Sequence, residues 1–510
     1  MIDPLSLAEI RHHVGLFLDD KDLFACIQVC SSWRNTFTPI LYHTSTIFTY
    51  KAKNPTFETI NKHADSVRDL ILIGGIKLEQ GSLQCSKLKT LMVINPERPR
   101  SQDAELSPAF ADFIQANKGT LKRFRLSRHP EHSSAMLWNA LAQCKDLVEI
   151  LLRRNTVPQH DLEAFWEACS TTDELTLDSM VFQLDSVSPC MASLPERFPK
   201  LKILRLESIQ GLSNKAQLEI IRRASNLNRL YWQPNGQSFP LDDYREVMSS
   251  RIFTNLQSLK LLQHTLGDED VSLTLDAMTV AKDLEFGTSR FSESSYRSLM
   301  NNHATNIQSL ILRVCPSVTS AMVQGILSGC PSLETLDVNI IQGTDLARIE
   351  PESEASEAVV LGKDWVCLKL KSLSVYFDLS GNGADIDQST SEGKERFNRQ
   401  RQLEQEHAFR QLSRLKGLKT LVFYDRLNRS SVKQSLELKL KSRGGELDQL
   451  STLTELETIQ FDDTDQDMSE EEIDWMSEHW PKLSALSGTF HRDDKRDKQL
   501  REYRDAKLSQ

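Results

Sequence analysis

Several features that would mark a secreted, membrane or nucleic-acid-binding protein are missing from this sequence of 510 residues. It contains no apolar run of about eighteen residues, which a membrane-spanning helix needs, and no secretory signal follows Met1. Its nine cysteines are an odd number without a Cys-x-x-Cys pair, so we expect reduced thiols and no disulfide scaffold. The formal net charge of −10 argues against nucleic acid or an anionic membrane as a partner. We therefore expect a cytoplasmic or nuclear protein.

Complete motifs for catalysis, cofactors or metals are missing as well. No phosphate-binding loop with its lysine, no Gly-x-Ser-x-Gly elbow and no His-Glu-x-x-His motif occurs. Asp463, Asp465 and Asp467 begin like a calcium-binding loop, but Met468 occupies the position where the sharp turn requires glycine. We expect no enzyme activity, no cofactor and no metal.

A recurring Leu-x-x-Leu-x-Leu template dominates most of the chain. Between Leu121 and Leu333 its successive starting positions are 25 to 29 residues apart, a spacing typical of stacked repeats. Each template predicts a short strand that cannot bury its apolar side chains alone, so neighbouring repeats must cover it. The fifteen starting positions are Val67, Leu88, Leu121, Leu147, Thr172, Leu201, Leu227, Leu256, Ala281, Ile307, Leu333, Leu370, Leu418, Leu456 and Leu483.

Helices are predicted between the strands. Helical spacing predicts return helices at residues 216–224, 295–302 and 320–327. Ser469 and Glu472 have the spacing of a capping box, which predicts the start of the last return helix. Parallel strands on one side and helices on the other are therefore expected.

The first forty-three residues have a different pattern, with apolar residues at helical spacing in three short segments, which predicts three helices that share an apolar interior. Asp22 is expected to cap the second helix, Ser31 or Ser32 the third, and Pro39 to end it. A module of about forty residues is near the lower size limit for independent folding, so a partner is expected. The apolar positions are Leu7, Ile10, Val14 and Leu18, then Leu23, Cys26, Ile27 and Cys30, then Trp33 and Phe37.

Several motif residues occur here in a fixed order, namely Pro4-Leu5, Ile10, Val14, Leu18, Lys21-Asp22-Leu23, Val29-Cys30 and Trp33. In this order the segment resembles an F-box, the helical module that docks onto the Skp-family adaptor of cullin-RING ubiquitin ligases. It departs from the common pattern at its start, where Asp3-Pro4-Leu5 replaces Leu-Pro. The resemblance implies that the module binds the adaptor and, through it, cullin and RING subunits, with Trp33 as the main anchor. The adaptor-binding residues it implies are Pro4, Leu5, Ile10, Val14, Leu23, Val29, Cys30 and Trp33.

The whole chain is similar to F-box/leucine-rich-repeat proteins, particularly the divergent ones of fungi. That family prefers Asn or Cys eight residues after the template start, as at Asn155, Asn235 and Cys315. The resemblance implies an α/β leucine-rich-repeat solenoid, a horseshoe with its parallel sheet on the concave side and helices outside, preceded by a small all-α F-box. It also implies the substrate-recognition subunit of an SCF-type E3 ubiquitin ligase without catalytic residues of its own.

The domain boundaries follow from the template and from composition. We expect an F-box at residues 1–45, repeats at 46–490 and a charged, solvated and partly helical tail at 491–510. Polar insertions are predicted near 343–363, 380–401 and 426–445, the second as a disordered loop leading into a charged helix.

The residues between the template leucines are predicted to project from the concave face, because side chains alternate along a strand. Arginines with a tyrosine are common at interface anchors and phosphate sites, so we predict that this face captures an acidic or phosphorylated segment of a target protein. The predicted target-binding residues are Arg123, Arg125, Arg153, Arg205, Arg229, Tyr231, Lys260 and Arg313. Other residues predicted on this face are Asp283, Glu285, Asp337, Asn339, Tyr376 and Tyr424.

Two other functions remain open from the sequence. One is a leucine-rich-repeat scaffold or inhibitor that binds a protein partner without ubiquitin transfer, its first helices only capping the stack. The other, weaker, is a GTPase-activating repeat protein, for which no arginine stands out. The identity of the target, the need for its phosphorylation and the oligomeric state are not encoded in any recognisable motif.

Overall fold

The computed structural model describes residues 4–48, 56–74, 83–94, 108–128, 135–184, 192–234, 239–250, 253–262, 266–312, 314–353, 356–379, 390–423, 436–462, 464 and 466–508. The chain forms two compact units, Met1–Val247 and Met248–Gln510. No helix in these ranges is both long enough and apolar enough to span a bilayer.

Parallel strands of the first unit pair in the order in which they occur along the chain, and two short strands form a separate parallel pair. The main strands are β1 (Thr44–Phe48), β2 (Asp69–Ile73), β3 (Thr90–Ile94), β4 (Arg123–Ser127), β5 (Glu149–Arg153), β7 (Glu174–Asp178), β9 (Ile203–Glu207) and β10 (Arg229–Gln233); the pair is β6 (Thr156–Pro158) and β8 (Val181–Gln183). The helices are α1 (Ala8–Gly15), α2 (Asp20–Cys26), α3 (Ser31–Leu41), α4 (Phe57–Lys62), α5 (Pro108–Ala116), α6 (Ala135–Ala142), α7 (Leu162–Ser170), α8 (Asn214–Arg223) and α9 (Leu241–Ser249), the last of which contains the boundary residue Val247.

The second unit repeats this plan and adds an antiparallel hairpin of two strands. Its parallel strands are β11 (Ser258–Leu261), β12 (Asp283–Phe286), β13 (Ser309–Ile311), β14 (Thr335–Gln342), β17 (Ser372–Asp378), β18 (Thr420–Val422), β19 (Thr458–Phe461) and β20 (Ala485–Gly488); the hairpin is β15 (Ala347–Ser353) and β16 (Ser356–Leu361). The helices are α10 (Asp268–Ala277), α11 (Glu293–Asn302), α12 (Ser320–Gly329), α13 (Gly343–Leu346), α14 (Ser391–Ser413), α15 (Glu470–His479) and α16 (Asp494–Leu508).

All fifteen templates form strands, and each strand begins two residues after the predicted starting position. The fourth and sixth template residues point to the buried side, as Phe124 and Leu126 do in β4, both 0% exposed. In-register pairing of the strands stacks these residues in rows; one row runs through Leu70, Leu91, Phe124, Ile150, Leu175, Leu204 and Leu230. The predicted leucine-rich-repeat architecture is confirmed.

Strand β1 is a repeat strand that the template search missed. It pairs in parallel with β2, from Thr44 opposite Asp69 to Phe48 opposite Ile73. Ser45 and Ile47 are its buried residues, so that a serine stands where the template requires a leucine. The first repeat strand thus begins at Thr44, two residues before the predicted boundary at 46.

A left-handed residue follows many strands at a fixed place, seven residues after the template start. Arg154 and Ser179 have φ of 55° and 54°, and their N–H groups donate to the last carbonyl of the next strand, both at 2.8 Å. This geometry turns the chain out of the sheet and ties neighbouring repeats together. Within the described part of the chain, the non-glycine residues with positive φ are Arg128, Arg154, Ser179, Ser208, Thr288 and Val314.

The next position, eight residues after the template start, carries a buried hydrogen-bond donor. Asn155 donates through Nδ2 to the carbonyl of Leu126 at 2.9 Å, and the Cys315 thiol donates to that of Phe286 at 3.5 Å. Both therefore satisfy a carbonyl of the preceding strand that would otherwise be buried without a partner. Asn235, predicted for the same role, lies outside the described residues.

The predicted return helices are present as α8, α11 and α12. The capping box before α15 is confirmed, since the Ser469 N–H donates to Glu472 at 2.7 Å. The insertion near 343–363 contains α13 and the hairpin, and α14 is the charged helix predicted after the second insertion. Residues 380–389 and 424–435 of the second and third insertions lie outside the described ranges.

The C-terminal segment is partly helical, as predicted, but it is not detached from the repeats. Most of it forms α16, which packs on the last repeat and buries Leu500 completely. The segment has alternating charges and no apolar period, so this single apolar contact could not be predicted from the sequence.

Candidate functional site

The N-terminal module comprises the turn Pro4–Ser6 and helices α1 to α3. Its first helix is oriented differently from the prediction, which placed the apolar stripe inside. Leu7, Ile10 and Val14 are 44%, 38% and 40% exposed, whereas Arg11 and Gly15 are buried. The stripe therefore faces outward, and the module presents it as an accessible surface.

Arg11 and Gly15 explain this orientation, because each makes a contact that an apolar residue cannot replace. The Arg11 guanidinium donates to the carbonyl of Leu5 at 2.7 Å and to the hydroxyl of Ser32 at 2.8 Å. A Cβ atom at Gly15 would lie 2.6 Å from Ile40 and 2.9 Å from Phe37. Helices α1 and α3 thus pack through a buried cation and a glycine, which leaves the apolar side chains of α1 outside.

The apolar interior of the module is small. Leu23 of α2 and Phe37 of α3 are 3% and 1% exposed, and Trp33 packs against Phe37 with ring centroids 5.4 Å apart. Asp19, rather than the predicted Asp22, caps α2 by accepting from the Asp22 N–H at 2.9 Å. Cys30 is the N-cap residue of α3 in place of the predicted Ser31 or Ser32, and α3 continues past Pro39 to Leu41.

The residues predicted to bind an adaptor differ in how exposed their side chains are. Leu5, Ile10, Val14, Val29 and Cys30 are exposed on the module, with Val29 at 62%. Trp33 is half-buried. Leu23 is a correction, because at 3% exposure it belongs mainly to the interior and contributes only a small area to the groove between the module and the first repeats. Pro4 begins the N-terminal turn.

Further exposed apolar residues on the module were not predicted. Phe17 is 83% exposed, Leu16 58% and Phe24 57%. The sequence contains a signal for them, since Leu16, Phe17 and Leu18 are consecutive and neighbouring helical positions diverge by about 100°. Three consecutive apolar residues at a helix end cannot all face one interior.

An open groove of about 660 Å³ lies between the module and the first repeats. The module contributes apolar side chains, and the segments beside β1 to β3 contribute charged ones. Its lining includes Leu16, Leu18, Leu23, Ile40, Asp65, Arg68 and Lys89. The groove extends the accessible apolar surface toward the sheet.

The exposed sheet face of the first unit is the second candidate surface. Arg125 binds Glu149 through two hydrogen bonds of 2.8 and 3.0 Å, and this contact raises the pKa of Arg125. Arg153 contacts Asp178 at 2.6 Å. These arginines bind carboxylates across neighbouring strands, which the separate reading of each template did not reveal.

Two further arginines of this face have other partners, one within its own strand and one a hydroxyl group. Arg205 contacts Glu207 at 2.6 Å and lies over the ring of Tyr231 at 4.3 Å. Arg123 donates to the Thr90 hydroxyl at 3.0 Å.

The predicted basic character of this face is therefore wrong. Outward positions of β1 to β10 carry five arginines and five acidic residues, a balance of zero. An acidic residue on the same face thus offsets each arginine. The arginines are Arg123, Arg125, Arg153, Arg205 and Arg229, and the acidic residues are Asp69, Glu149, Glu174, Asp178 and Glu207.

On the sheet of the second unit, several residues predicted to project from the exposed face are paired or buried. Lys260 is paired with Glu285 at 2.9 Å, and Asp337 is largely buried. Tyr376 is 1% exposed, which corrects its assignment to the accessible face. Asp283 is half-buried. The structure does not describe Arg313, Tyr424 or the side chain of Asn339.

Within the described residues, no three His, Cys, Asp or Glu side chains form a group that could hold a metal ion. Asp467, from the aspartate run considered for calcium, pairs with Lys439 at 3.1 Å and with His491 at 3.2 Å.

The period, the parallel strands and the hydrogen bonds after them define a leucine-rich-repeat protein of the α/β class. Among solved structures, the chain is similar to a leucine-rich-repeat protein of Leptospira interrogans, with 14% identity, coverage of 91% of this chain and 94% of that chain, and a TM-score of 0.43. It is also similar to the plant peptide hormone receptor RGFR1 in complex with RGF2, with 14% identity, coverage of 89% and 75%, and a TM-score of 0.33. No family model and no curated protein matches the sequence.

Proposed function

We propose that this chain is the substrate-recognition subunit of an SCF-type cullin-RING ubiquitin ligase. In this proposal the N-terminal module binds a Skp-family adaptor, and the exposed sheet face binds the target protein. The observation that supports it is the set of large apolar side chains that the module leaves accessible. These are Leu5, Leu7, Ile10, Val14, Leu16, Phe17, Phe24 and Val29.

Exposed apolar side chains clustered in one small module favour docking over a purely capping role. A helical cap buries its apolar face against the repeat beside it, but α1 turns its apolar stripe outward. Clustered apolar surface of this kind marks an interaction site in soluble proteins. The adaptor would cover it and complete an interior that now consists mainly of Leu23 and Phe37.

The contribution to catalysis would be proximity. The repeats would hold a target so that its lysines lie near a ubiquitin-charged conjugating enzyme, which turns an encounter between free proteins into a local reaction. The chain then needs no nucleophile or general base of its own.

The target surface is proposed to be the sheet face of the first unit. Its balanced charges favour a target segment of mixed charge over one that is strongly acidic or phosphorylated, because Arg125, Arg153 and Arg205 already contact carboxylates. Arg229, the first residue of β10, is exposed on this face.

Arg205→Glu with Arg229→Glu should reduce target capture in a pull-down at least tenfold, and Lys202→Glu, an exposed control beside β9, should not. Equal capture by the wild type, the double variant and Lys202→Glu would rule out this face as the target-binding surface.

Adaptor binding is tested with Ile10→Asp combined with Val14→Asp. Charges on the outward stripe of α1 should abolish co-purification of the co-expressed adaptor, while the midpoint of thermal unfolding stays within about 2 °C, because both side chains are already about 40% exposed. Glu9→Ala on the same helix is the matched control. Leu23→Ala is unsuitable, since it would open a cavity in the interior.

The alternative is a protein-binding repeat scaffold without ubiquitin transfer. A soluble, folded chain that fails to bind the adaptor on co-expression would favour it. Adaptor binding without recruitment of cullin would place the chain outside a ligase.

We also propose a cytoplasmic or nuclear location, where thiols stay reduced. Each of the eight described cysteines is a free thiol. Fluorescence microscopy of the tagged chain tests this directly.

A further inference from the structure

Three cationic residues lie directly before strands β2, β3 and β4, at one end of the sheet of the first unit. The Lys89 N–H donates to the carbonyl of Arg68 at 2.6 Å, and the Lys122 N–H donates to that of Lys89 at 2.8 Å. Neighbouring strands are about 4.8 Å apart, so the three residues lie side by side. We call Arg68, Lys89 and Lys122 the basic row.

The basic row lacks the ion pairs that lysines form at this position in other repeats. Three lysines directly before other strands contact an acidic residue of the adjacent repeat. These pairs are Lys202–Asp173 at 2.6 Å, Lys371–Glu334 at 2.6 Å and Lys419–Glu457 at 2.8 Å. Lys282 has Gln257 and Gln308 beside it, so no like charge is its neighbour. Within the described part of the chain, no carboxylate forms an ion pair with the basic row.

This arrangement is unfavourable in the free chain. Like charges side by side on neighbouring strands repel each other and lower stability. Lys89 and Lys122 are exposed and Arg68 is half-buried, so a partner can reach them. Carboxylates of that partner would supply the compensation that acidic neighbours supply in the other repeats.

The basic row continues the lining of the groove between the N-terminal module and the first repeats. Arg68 and Lys89 belong to that lining, and Lys122 lies one strand beyond Lys89. Nη1 of Arg68 donates to the carbonyls of Asp65 and Val67 at 2.7 and 3.0 Å, which holds the guanidinium in place. A chain lying in the groove can therefore continue along the row.

The module side of this groove is apolar. Leu16 is 58% exposed, and Leu18 and Ile40 are half-buried residues of the lining. The volume of about 660 Å³ is typical of ligand-binding pockets. The groove thus has room for bulky apolar side chains.

Two carboxylates line the groove as well. Asp65 contacts Lys87 at 3.1 Å, so its charge is already compensated. Asp20 is exposed at the start of α2. The local charge of the groove and the basic row therefore stays positive, in contrast to the net charge of −10 of the whole chain.

We propose that this groove and the basic row together bind an extended segment of a partner protein that carries bulky apolar residues beside a run of acidic ones. The apolar residues enter the groove against Leu16, Leu18 and Ile40, and the carboxylates contact the basic row. The row spans two strand spacings, about 10 Å, which three residues of an extended chain cover. A nucleic acid or an anionic membrane matches the row but not the apolar wall, and the negative net charge repels both.

The test measures binding of fluorescein-labelled synthetic peptides to the full chain by fluorescence anisotropy. The probes carry a pair of leucines and a run of glutamates, in either order, with zero to four serines between them. At least one probe should bind the wild type. Replacing its glutamates by glutamines, or its leucines by serines, should weaken binding at least tenfold, and added salt should weaken it as well.

Lys89→Glu with Lys122→Glu should weaken binding of the same peptide at least tenfold. Lys202→Glu with Lys215→Glu is the matched control, because it changes the net charge equally at two positions outside the groove and the row, and it should alter the affinity less than twofold. All four lysines are exposed, so both double variants should keep the unfolding midpoint of the wild type.

Four results would contradict this assignment. The first is that no probe binds, and the second is that the glutamate run binds equally well without leucines. The third is that the control double variant weakens binding as much as Lys89→Glu with Lys122→Glu does. The fourth is binding of a DNA oligonucleotide or of vesicles containing phosphatidylserine at the row without peptide binding, which would assign the row to another anion.

This site is independent of adaptor docking, and the two can fail separately. Ile10→Asp with Val14→Asp should leave peptide binding unchanged, because neither residue belongs to the groove lining. Lys89→Glu with Lys122→Glu should leave co-purification of the adaptor unchanged. Loss of both activities in either double variant would show that the groove and the apolar stripe of α1 form one site.

Discussion

At the scale of single residues, two buried ionisable groups on α14 change the stability in opposite directions as the pH rises. Burial raises the pKa of Glu404 to about 7, and Asp378 adds to the shift while Gln400 and Arg401 oppose it. Burial and Arg410 lower the pKa of His407 to about 4. Among the described residues, Oε2 of Glu404 has no hydrogen-bond partner.

The sign of each effect follows from linkage. The folded pKa of Glu404 exceeds its ordinary value of 4.5, so its contribution to stability is complete below that value and is lost as the pH rises toward 7. His407 behaves in the opposite way, because stability is lost as the pH falls from 6.5 toward 4. The two losses overlap between about pH 4.5 and 6.5 and have opposite slopes there, so they largely cancel, and the stability of the repeats around α14 should vary little with pH in this range.

Glu404→Gln should therefore stabilise the second unit at pH 8 by roughly 2 kcal/mol and have little effect at pH 5. The amide is neutral at both pH values, as the protonated acid is. Denaturant midpoints at the two pH values measure the difference. Glu395→Gln, an exposed change on the same helix, is the control, and equal pH profiles for wild type and Glu404→Gln would contradict the assignment.

At the scale of elements, the strand and the turn after it form the repeating unit. Fifteen strands could be predicted because the leucines that cause the period also form the core. Strand β1 was missed because Ser45 occupies a core position that leucine fills elsewhere. The left-handed turns were not predicted, since arginine, serine, threonine or valine occupies them where glycine would have been the signal.

Ser208→Gly tests the cost of these turns. Its φ of 52° is unfavourable for a residue with a Cβ atom, so glycine should raise the free energy of unfolding by about 0.5 to 1 kcal/mol after its own entropic cost. Ser225→Gly, an exposed serine outside these turns, should lower it slightly. Urea unfolding of both variants gives the comparison, and destabilisation by Ser208→Gly would show that the turn is not strained.

At the scale of the whole molecule, the described thiols fall into two classes. Cys30 is exposed and Cys26 half-buried on the N-terminal module, while six thiols in the repeats are buried. Burial raises the pKa of Cys85 and Cys144 to about 11, and of Cys330 to about 12. The thiolate is the reactive form, so reactivity at neutral pH is concentrated on the module proposed to dock.

Iodoacetamide at pH 7.5 should therefore label Cys30 first, and the six buried thiols at least a hundredfold more slowly. Peptide mass spectrometry over time measures each site. Adding the adaptor should protect Cys30 and leave the repeat cysteines unchanged. An unaltered Cys30 rate in a saturated complex would show that the adaptor does not cover this end of the module.

The sequence by itself determined the repeat, because a core built from stacked similar units requires apolar residues at a regular spacing along the chain. It also determined the return helices and the capping box at Ser469, which depend on neighbours a few residues away.

Only the tertiary structure decided which surfaces are open. The helical pattern of α1 is compatible with either orientation, and the packing of Arg11 and Gly15 against α3 turned its stripe outward. Arg125 and Arg153 suggest a basic surface when each strand is considered alone, but in the sheet Glu149 and Asp178 of the neighbouring strands pair with them. Contacts between residues distant in sequence leave no period behind, so they could not be predicted from the order of residues.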